Sequence, residues 1–238
     1  MGQNMLTRLR NLVSDEVKGR IDFYRFPERG ASWGGPFNGQ FGRREIFEAI
    51  IRTAQPRLIL ETGTYRGTTT ELFAKTTIPV VTIESDRRNY GFARTRLRGC
   101  RNVDVRLGDS RHELRRVFDC QRELLGGRQL FFAYLDAHWN DDLPLADELD
   151  IIFSNAPNTV AMIDDFRVPD DPGYGYDDYG PGKALDQSYI APIIKAHRLT
   201  ALYPRIPSSQ ETGGRRGCVV LAKETWQAPL LATELLRC

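Results

Sequence analysis

The chain has no apolar run approaching the ~18 residues that a membrane-spanning helix needs, and no secretory leader pattern. Its four cysteines, Cys100, Cys120, Cys218 and Cys238, lie far apart and form no CxxC pair. Neither a zinc site nor a disulfide framework is expected, and reduced thiols in a cytoplasmic protein fit the pattern. Charge of one sign is missing too: the formal net charge is +2, which leaves no electrostatic case for nucleic acid as a partner. Lysine is scarce, with five against 28 arginines, a balance that a GC-rich genome gives by itself, arginine forks gripping an anionic ligand being the alternative. There is no internal repeat, low-complexity tract or linker.

What is present is enough for one sizeable α/β domain: 238 residues, 41% hydrophobic and 27% charged. Helical patterns are expected over 4–18 and 43–54, with an irregular Gly/Pro/aromatic segment over 27–42 between them. From residue 57 strands and helices alternate. Strands are expected over 58–62, 80–84, 103–107, 130–136 and 158–164, and helices over 67–76, 87–98, 111–124, 143–154 and 183–196. Segments 199–206 and 217–222 look like a closing hairpin. This alternation predicts a Rossmann-like doubly wound α/β sheet of seven strands, mostly parallel, with a C-terminal antiparallel hairpin. Residues 1–56 form an N-terminal helical cap, 57–223 the core and 224–238 a tail of a single domain. Ligands of such sheets bind at the carboxyl ends of the strands.

The first strand runs into Glu61-Thr-Gly63-Thr64-Tyr65-Arg-Gly67-Thr-Thr69-Thr70. Gly63 permits a tight turn, and Gly67 lets the next helix start close to the sheet with free N–H groups for an anion. Glu84 ends the second strand, 21 residues beyond Gly63, where a carboxylate can accept both hydroxyls of a ribose. Ser85 or Asp86 beside it suits a helix N-cap. At the third strand end, Asp109 and Ser110 either meet an adenine edge or cap the next helix, and both roles are compatible. Asp136 follows the fourth strand and Asp164 and Asp165 follow the fifth. Three carboxylates converging there repel one another unless a cation or protons intervene, and oxygen ligands of this kind suit Mg2+.

Glu61-x-Gly63-x-Tyr65-x-Gly67-x-Thr69 resembles the E-x-G-x-Y-x-G-x-S motif of catechol O-methyltransferase and its relatives. Leu135-Asp136 followed by His138-Trp139 resembles that family's L-D-H-W stretch with one residue inserted. Asp164-Asp165, 28 residues after Asp136, resembles its later metal-holding pair, and macrocin-type sugar O-methyltransferases also use an Asp and a later Asp-Asp. The resemblance covers about residues 58–166 and implies a class I methyltransferase fold using S-adenosylmethionine. It implies that Gly63, Thr64, Tyr65 and Thr69 meet the methionine part and Glu84 the ribose. Asp109 and Ser110 would then meet the adenine, with His138 and Trp139 packed nearby. Glu61, Gly67, Ser85 and Asp136 count with the cofactor contacts, and Asp136, Asp164 and Asp165 as Mg2+ ligands.

The family's lysine after His-Trp is replaced by Asn140, which cannot take a proton, so His138, Asp136 or Asp165 is the candidate base. The substrate side is expected in the Gly/Asp/Tyr loop over 169–182 and the facing segment 32–42. Trp33, Gln40, Tyr176 and Lys183 are its candidates, while Arg215 and Arg216 are placed on the surface. The expected activity is metal-assisted O-methylation of a small hydroxylated molecule, a sugar or natural-product intermediate, by a protein compatible with a homodimer. The alternatives are a metal-dependent hydroxylase or hydrolase on the same scaffold, a non-catalytic binding module, and a dinucleotide oxidoreductase. The last is disfavoured because Gly63-x-Tyr65-x-Gly67 lacks GxGxxG spacing.

Overall fold

A computed structural model describes residues 13–121, 130–138 and 142–238. The strands are β1 (Leu58–Thr62), β2 (Val80–Glu84), β3 (Val103–Leu107), β4 (Phe131–Leu135), β5 (Val160–Ile163), β6 (Leu199–Pro204), β7 (Val219–Lys223) and β8 (Leu236–Arg237). They form one sheet of order β3-β2-β1-β4-β5-β7-β6-β8. The first five run parallel, while β7 is antiparallel to β5 and β6, and β8 to β6. The expected doubly wound sheet with its closing hairpin is therefore present, with one more strand than expected.

The helices are α1 (Asp15–Arg25), α2 (Phe41–Ala54), α3 (Thr68–Ala74), α4 (Arg87–Arg96), α5 (Ser110–Gln121), α6 (Leu145–Asn155), α7 (Gln187–His197) and α8 (Glu224–Leu231). Central strands are buried on both faces, so successive side chains feed two cores. Leu58, Leu60, Phe131 and Ala133 pack with Leu114 and Phe118 of α5 and Leu149 and Ile152 of α6. Ile59, Phe132 and Tyr134 pack on the other face with Ile46, Phe47 and Ile50 of α2 and Phe73 of α3.

Of the helix expected over 4–18, residues 4–12 lie outside the described residues; α1 runs from Asp15 on to Arg25, with Ser14 capping it through Val17 N and Asp15 and Glu16 complementing its first turn. α1 crosses α4 so closely that a Cβ on Gly91 would sit 2.0 Å from the Glu16 carbonyl oxygen. The segment 224–238, expected as a tail, instead adds α8 and β8, with Leu230 and Leu236 in the second core. Its apolar run Pro229-Leu-Leu231 and Leu235-Leu236 is the reason: that surface is worth more buried than trailing. Among the described residues no helix is long and apolar enough to cross a membrane.

Candidate functional site

A cavity of about 960 Å³ opens at the carboxyl ends of β1–β4. Its turn after β1 depends on Gly63, at φ +82°, where an added Cβ would come 2.1 Å from the Asp136 carbonyl oxygen. Only glycine combines that dihedral with so close an approach to the neighbouring strand end. Tyr65 follows at φ +50° and donates its N–H to Glu84 Oε2 at 2.6 Å. Glu84 Oε1 accepts from Asp86 N at 2.8 Å, so the carboxylate is fixed between the first two strand ends. Burial pushes its pKa up to about 7. Glu61 lies beneath, accepting from Thr70 Oγ1 at 2.5 Å and Thr82 Oγ1 at 2.6 Å, and burial pushes it up to about 7 as well.

Thr64, Thr68, Thr69 and Ser85 line the cavity beside these groups. Gly67 shapes the turn from below, at φ +73° against Leu97, without lining the cavity. Asp86 takes the N-cap of α4, accepting from Arg88 N and Asn89 N. Asp109 lines the cavity and also accepts from Arg111 N at 2.9 Å. The Arg111 guanidinium beside it, shared with Asp142, holds its carboxyl below the usual range. Ser110 lines the same wall and hydrogen-bonds Glu148, a carboxyl that burial pushes up to about 7.

The other end of the cavity is built by β4, β5 and the loop before α7. Asp136, His138 and Asp165 converge there, one ligand atom of each lying within 4.8 Å of the others. Asp136 keeps 34% of its side chain open, yet its surroundings desolvate it and Asp165 repels it, so its pKa is raised. His138 is 4% exposed and burial lowers its pKa, which keeps the imidazole neutral. Its Nε2 has no hydrogen-bond partner among the described residues and stands 3.9 Å from Asp136 Oδ1. Asp165, at φ +52°, accepts from Arg216 Nε at 2.7 Å, and Arg216 Nη2 also donates to Asp177.

Asp164, expected as a third metal ligand, is not brought to this cluster. Its carboxylate is 1% exposed and receives the Arg43 guanidinium and the Tyr134 hydroxyl, with Asp165 N at 2.6 Å. β5 ends at Ile163: Asp164 stays with Tyr134 and Arg43, while the backbone turns at Asp165, φ +52°, and carries that carboxylate into the cavity. Arg216, expected on the surface, lines the cavity because two acids hold it there.

Of the substrate candidates, Trp33 lines the mouth at φ +57° and 69% exposure. Gln40 does not line it: it is buried and pairs with the Arg216 backbone through both amide atoms, at 2.8 and 2.7 Å. Tyr176 stands against Arg167 and Lys183 N bonds Gly180 O, both away from the cavity lining. The loop itself is pinned rather than free. Gly175 bridges Arg216, Asp177 N reaches Asp165 O at 2.9 Å, and Tyr179 Oη donates to Asp177 at 2.5 Å. Trp139 and Asn140 lie outside the described residues.

Sequence reasoning missed Arg43, although a signal existed. It stands three, four and seven residues before Ile46, Phe47 and Ile50, on the apolar stripe of α2, where a charge needs a buried partner. Asp177 and Tyr179 lay within the loop singled out but carried no periodic mark.

No family model matches the chain. No curated protein matches it. Solved structures do. The chain is similar to an O-methyltransferase from Bacillus cereus in complex with SAH, at 20% identity over 76% of this chain and 81% of that one, TM-score 0.53. It is similar to the SAH-bound methyltransferase PaMTH1 of Podospora anserina, at 18% identity over 94% and 98%, TM-score 0.54. It is also similar to CalS10 of Micromonospora echinaspora, a SAM-bound amino pentose methyltransferase, at 17% identity over 84% and 96%, TM-score 0.51. The chain therefore has the Rossmann-like methyltransferase fold.

Proposed function

We propose that the protein is an S-adenosylmethionine-dependent O-methyltransferase acting on a small hydroxylated molecule. The observation that carries this reading is Glu84, a buried carboxylate presented to the cavity by the backbone of the Gly63–Tyr65 turn. A carboxylate so placed accepts the paired hydroxyls of a ribose. The lining supports a sulfonium ligand too: Glu61, Glu84, Asp109, Asp136, Asp165 and Asp177 outnumber Arg111 and Arg216. Trp33 at the mouth offers a ring face to a cyclic acceptor.

Bound beside Glu84, S-adenosylmethionine would supply a methyl group to the acceptor oxygen, its sulfur leaving as the neutral thioether. The rate depends chiefly on positioning the two reactants in line. Asp136 takes the hydroxyl proton; its raised proton affinity follows from desolvation and from Asp165. The donor set of carboxylates and an orphaned imidazole fits a divalent cation, held by Asp136 and Asp165. Such an ion would lower the pKa of a bound hydroxyl and fix its oxygen.

Calorimetry with S-adenosylhomocysteine and with NAD tests the cofactor. The protein binds the first and not the second; absence of S-adenosylhomocysteine binding sinks the reading.

A further inference from the structure

We propose that His138, not Asp164, completes the cation site with Asp136 and Asp165. That two-carboxylate, one-imidazole set selects a first-row transition ion over Mg2+. The inference rests on the cation-assisted reading above and changes both its ligands and its metal.

Three observations carry it. First, Asp164 is committed elsewhere. It and Arg43 are each 1% exposed, and the pair is closed by Tyr134 and by the Asp165 N–H. Arg43 is fixed in turn by the Gly217 carbonyl at 3.0 Å. Turning Asp164 toward the cavity would strand a buried guanidinium without its counter-charge.

Second, His138 Nε2 is a buried polar atom without a hydrogen-bond partner among the described residues. Such atoms are rare, because burial without a hydrogen bond is costly, and each calls for an explanation. At 3.9 Å from Asp136 Oδ1, it stands a few tenths of an ångström beyond the ~3.3–3.6 Å that two tetrahedral ligands of one ion span at bond lengths of about 2.0–2.2 Å. Third, Asp165 presents a carboxylate to the same point while Arg216 engages its Oδ1, so its second oxygen remains for an ion.

The ligand chemistry then sets the preference. Carboxylate and water oxygens alone suit Mg2+, whereas imidazole favours Co2+, Ni2+ or Zn2+ in the usual order of affinities. A nitrogen lone pair given to a cation is not available to a substrate proton, so this assignment also removes His138 from the base role.

Binding and spectroscopy of the full chain test this. Calorimetry with Co2+ and with Mg2+ is expected to show Co2+ bound at least about tenfold more tightly. Electron spin echo modulation of the Mn2+-loaded protein is expected to show coupling to one imidazole nitrogen, shifted by 15N-histidine labelling. His138→Gln, with its fold verified by circular dichroism, loses that coupling and weakens Co2+ at least about tenfold. Asp165→Asn weakens both ions. Asp164→Asn keeps the nitrogen coupling if it folds; if it does not, the His138 and Asp165 variants decide alone.

Unchanged Co2+ affinity in His138→Gln, a preference for Mg2+, or no nitrogen coupling overturns the proposal. So does a protein that binds no divalent ion, in which case the Arg216 guanidinium serves Asp165 without one. If S-adenosylhomocysteine still binds in that last case, the methyltransferase reading stands and only the cation site falls. If Co2+ binds through His138 but S-adenosylhomocysteine does not, the reverse holds.

Discussion

The two ends of the cavity are made in different ways. At the β1–β2 end, Gly63, Tyr65 and Glu84 come from two consecutive strand ends and are locked by backbone donors. At the β4–β5 end, Arg43, Asp136, His138, Asp165, Asp177 and Arg216 come from five separate segments and are held chiefly by charge. A backbone-built end is rigid and tolerates little change in geometry. A charge-built end is tuned by each substitution, because every acid there answers to a neighbouring cation or to burial. The first suits an invariant part of a ligand and the second a variable one.

The comparison breaks most severely at Gly63, which belongs to both ends. Gly63→Ala places a methyl against the Asp136 carbonyl in a dihedral that alanine avoids. The expected cost exceeds about 4 kcal/mol, with loss of S-adenosylhomocysteine binding, measured by denaturant unfolding and calorimetry.

Arg43→Leu separates the ends. It leaves Asp164 buried without its cation and is expected to cost about 3–5 kcal/mol of stability. In whatever fraction remains folded, S-adenosylhomocysteine affinity changes by less than about threefold, because Arg43 spends its hydrogen bonds on Asp164, Arg216 and Gly217, at the other end. A parallel loss of cofactor affinity would show that the two ends are one unit.

Glu84→Gln acts on the β1–β2 end alone. Hydrogen bonds to a charged acceptor contribute about 1.5–3 kcal/mol, so affinity for S-adenosylhomocysteine should fall about 10- to 100-fold.

The smallest effect is a proton. Glu84 titrates near 7 in the empty protein, above its ordinary value near 4.5. The folded state thus holds a proton that the unfolded chain releases earlier. Stability from this group is full below about 4.5 and is lost as pH rises through 7. Ribose hydroxyls donating to the carboxylate favour its ionised form and expel that proton. Affinity should therefore rise by up to about tenfold per pH unit below 7 and level off above it. Calorimetry in buffers of different ionisation enthalpy should detect about one proton released at pH 6, and none in Glu84→Gln. An affinity flat from pH 6 to 8 would place the cofactor's ribose elsewhere.

Much of the fold and half of the site were legible in the chain. Continuous apolar runs such as Leu130-Phe-Phe-Ala-Tyr-Leu135, each bounded by turn residues, read as buried parallel strands. Their carboxyl ends then located Gly63, Glu84, Asp109, Asp136 and Asp165 without reference to any partner. Local chemistry sufficed because dihedral demand and strand alternation act over a few residues.

Tertiary structure alone decided how the acids of the β4–β5 end divide. Asp164 and Asp165 are adjacent and chemically identical, yet one is neutralised by Arg43, 121 residues away, and the other by Arg216, 51 residues away. Which carboxylate faces a cavity and which is buried under a guanidinium depends on where α2 and the segment before β7 pack against the sheet. That placement is set by apolar burial in the two cores, a non-directional force summed over many contacts, and no short stretch of residues encodes it.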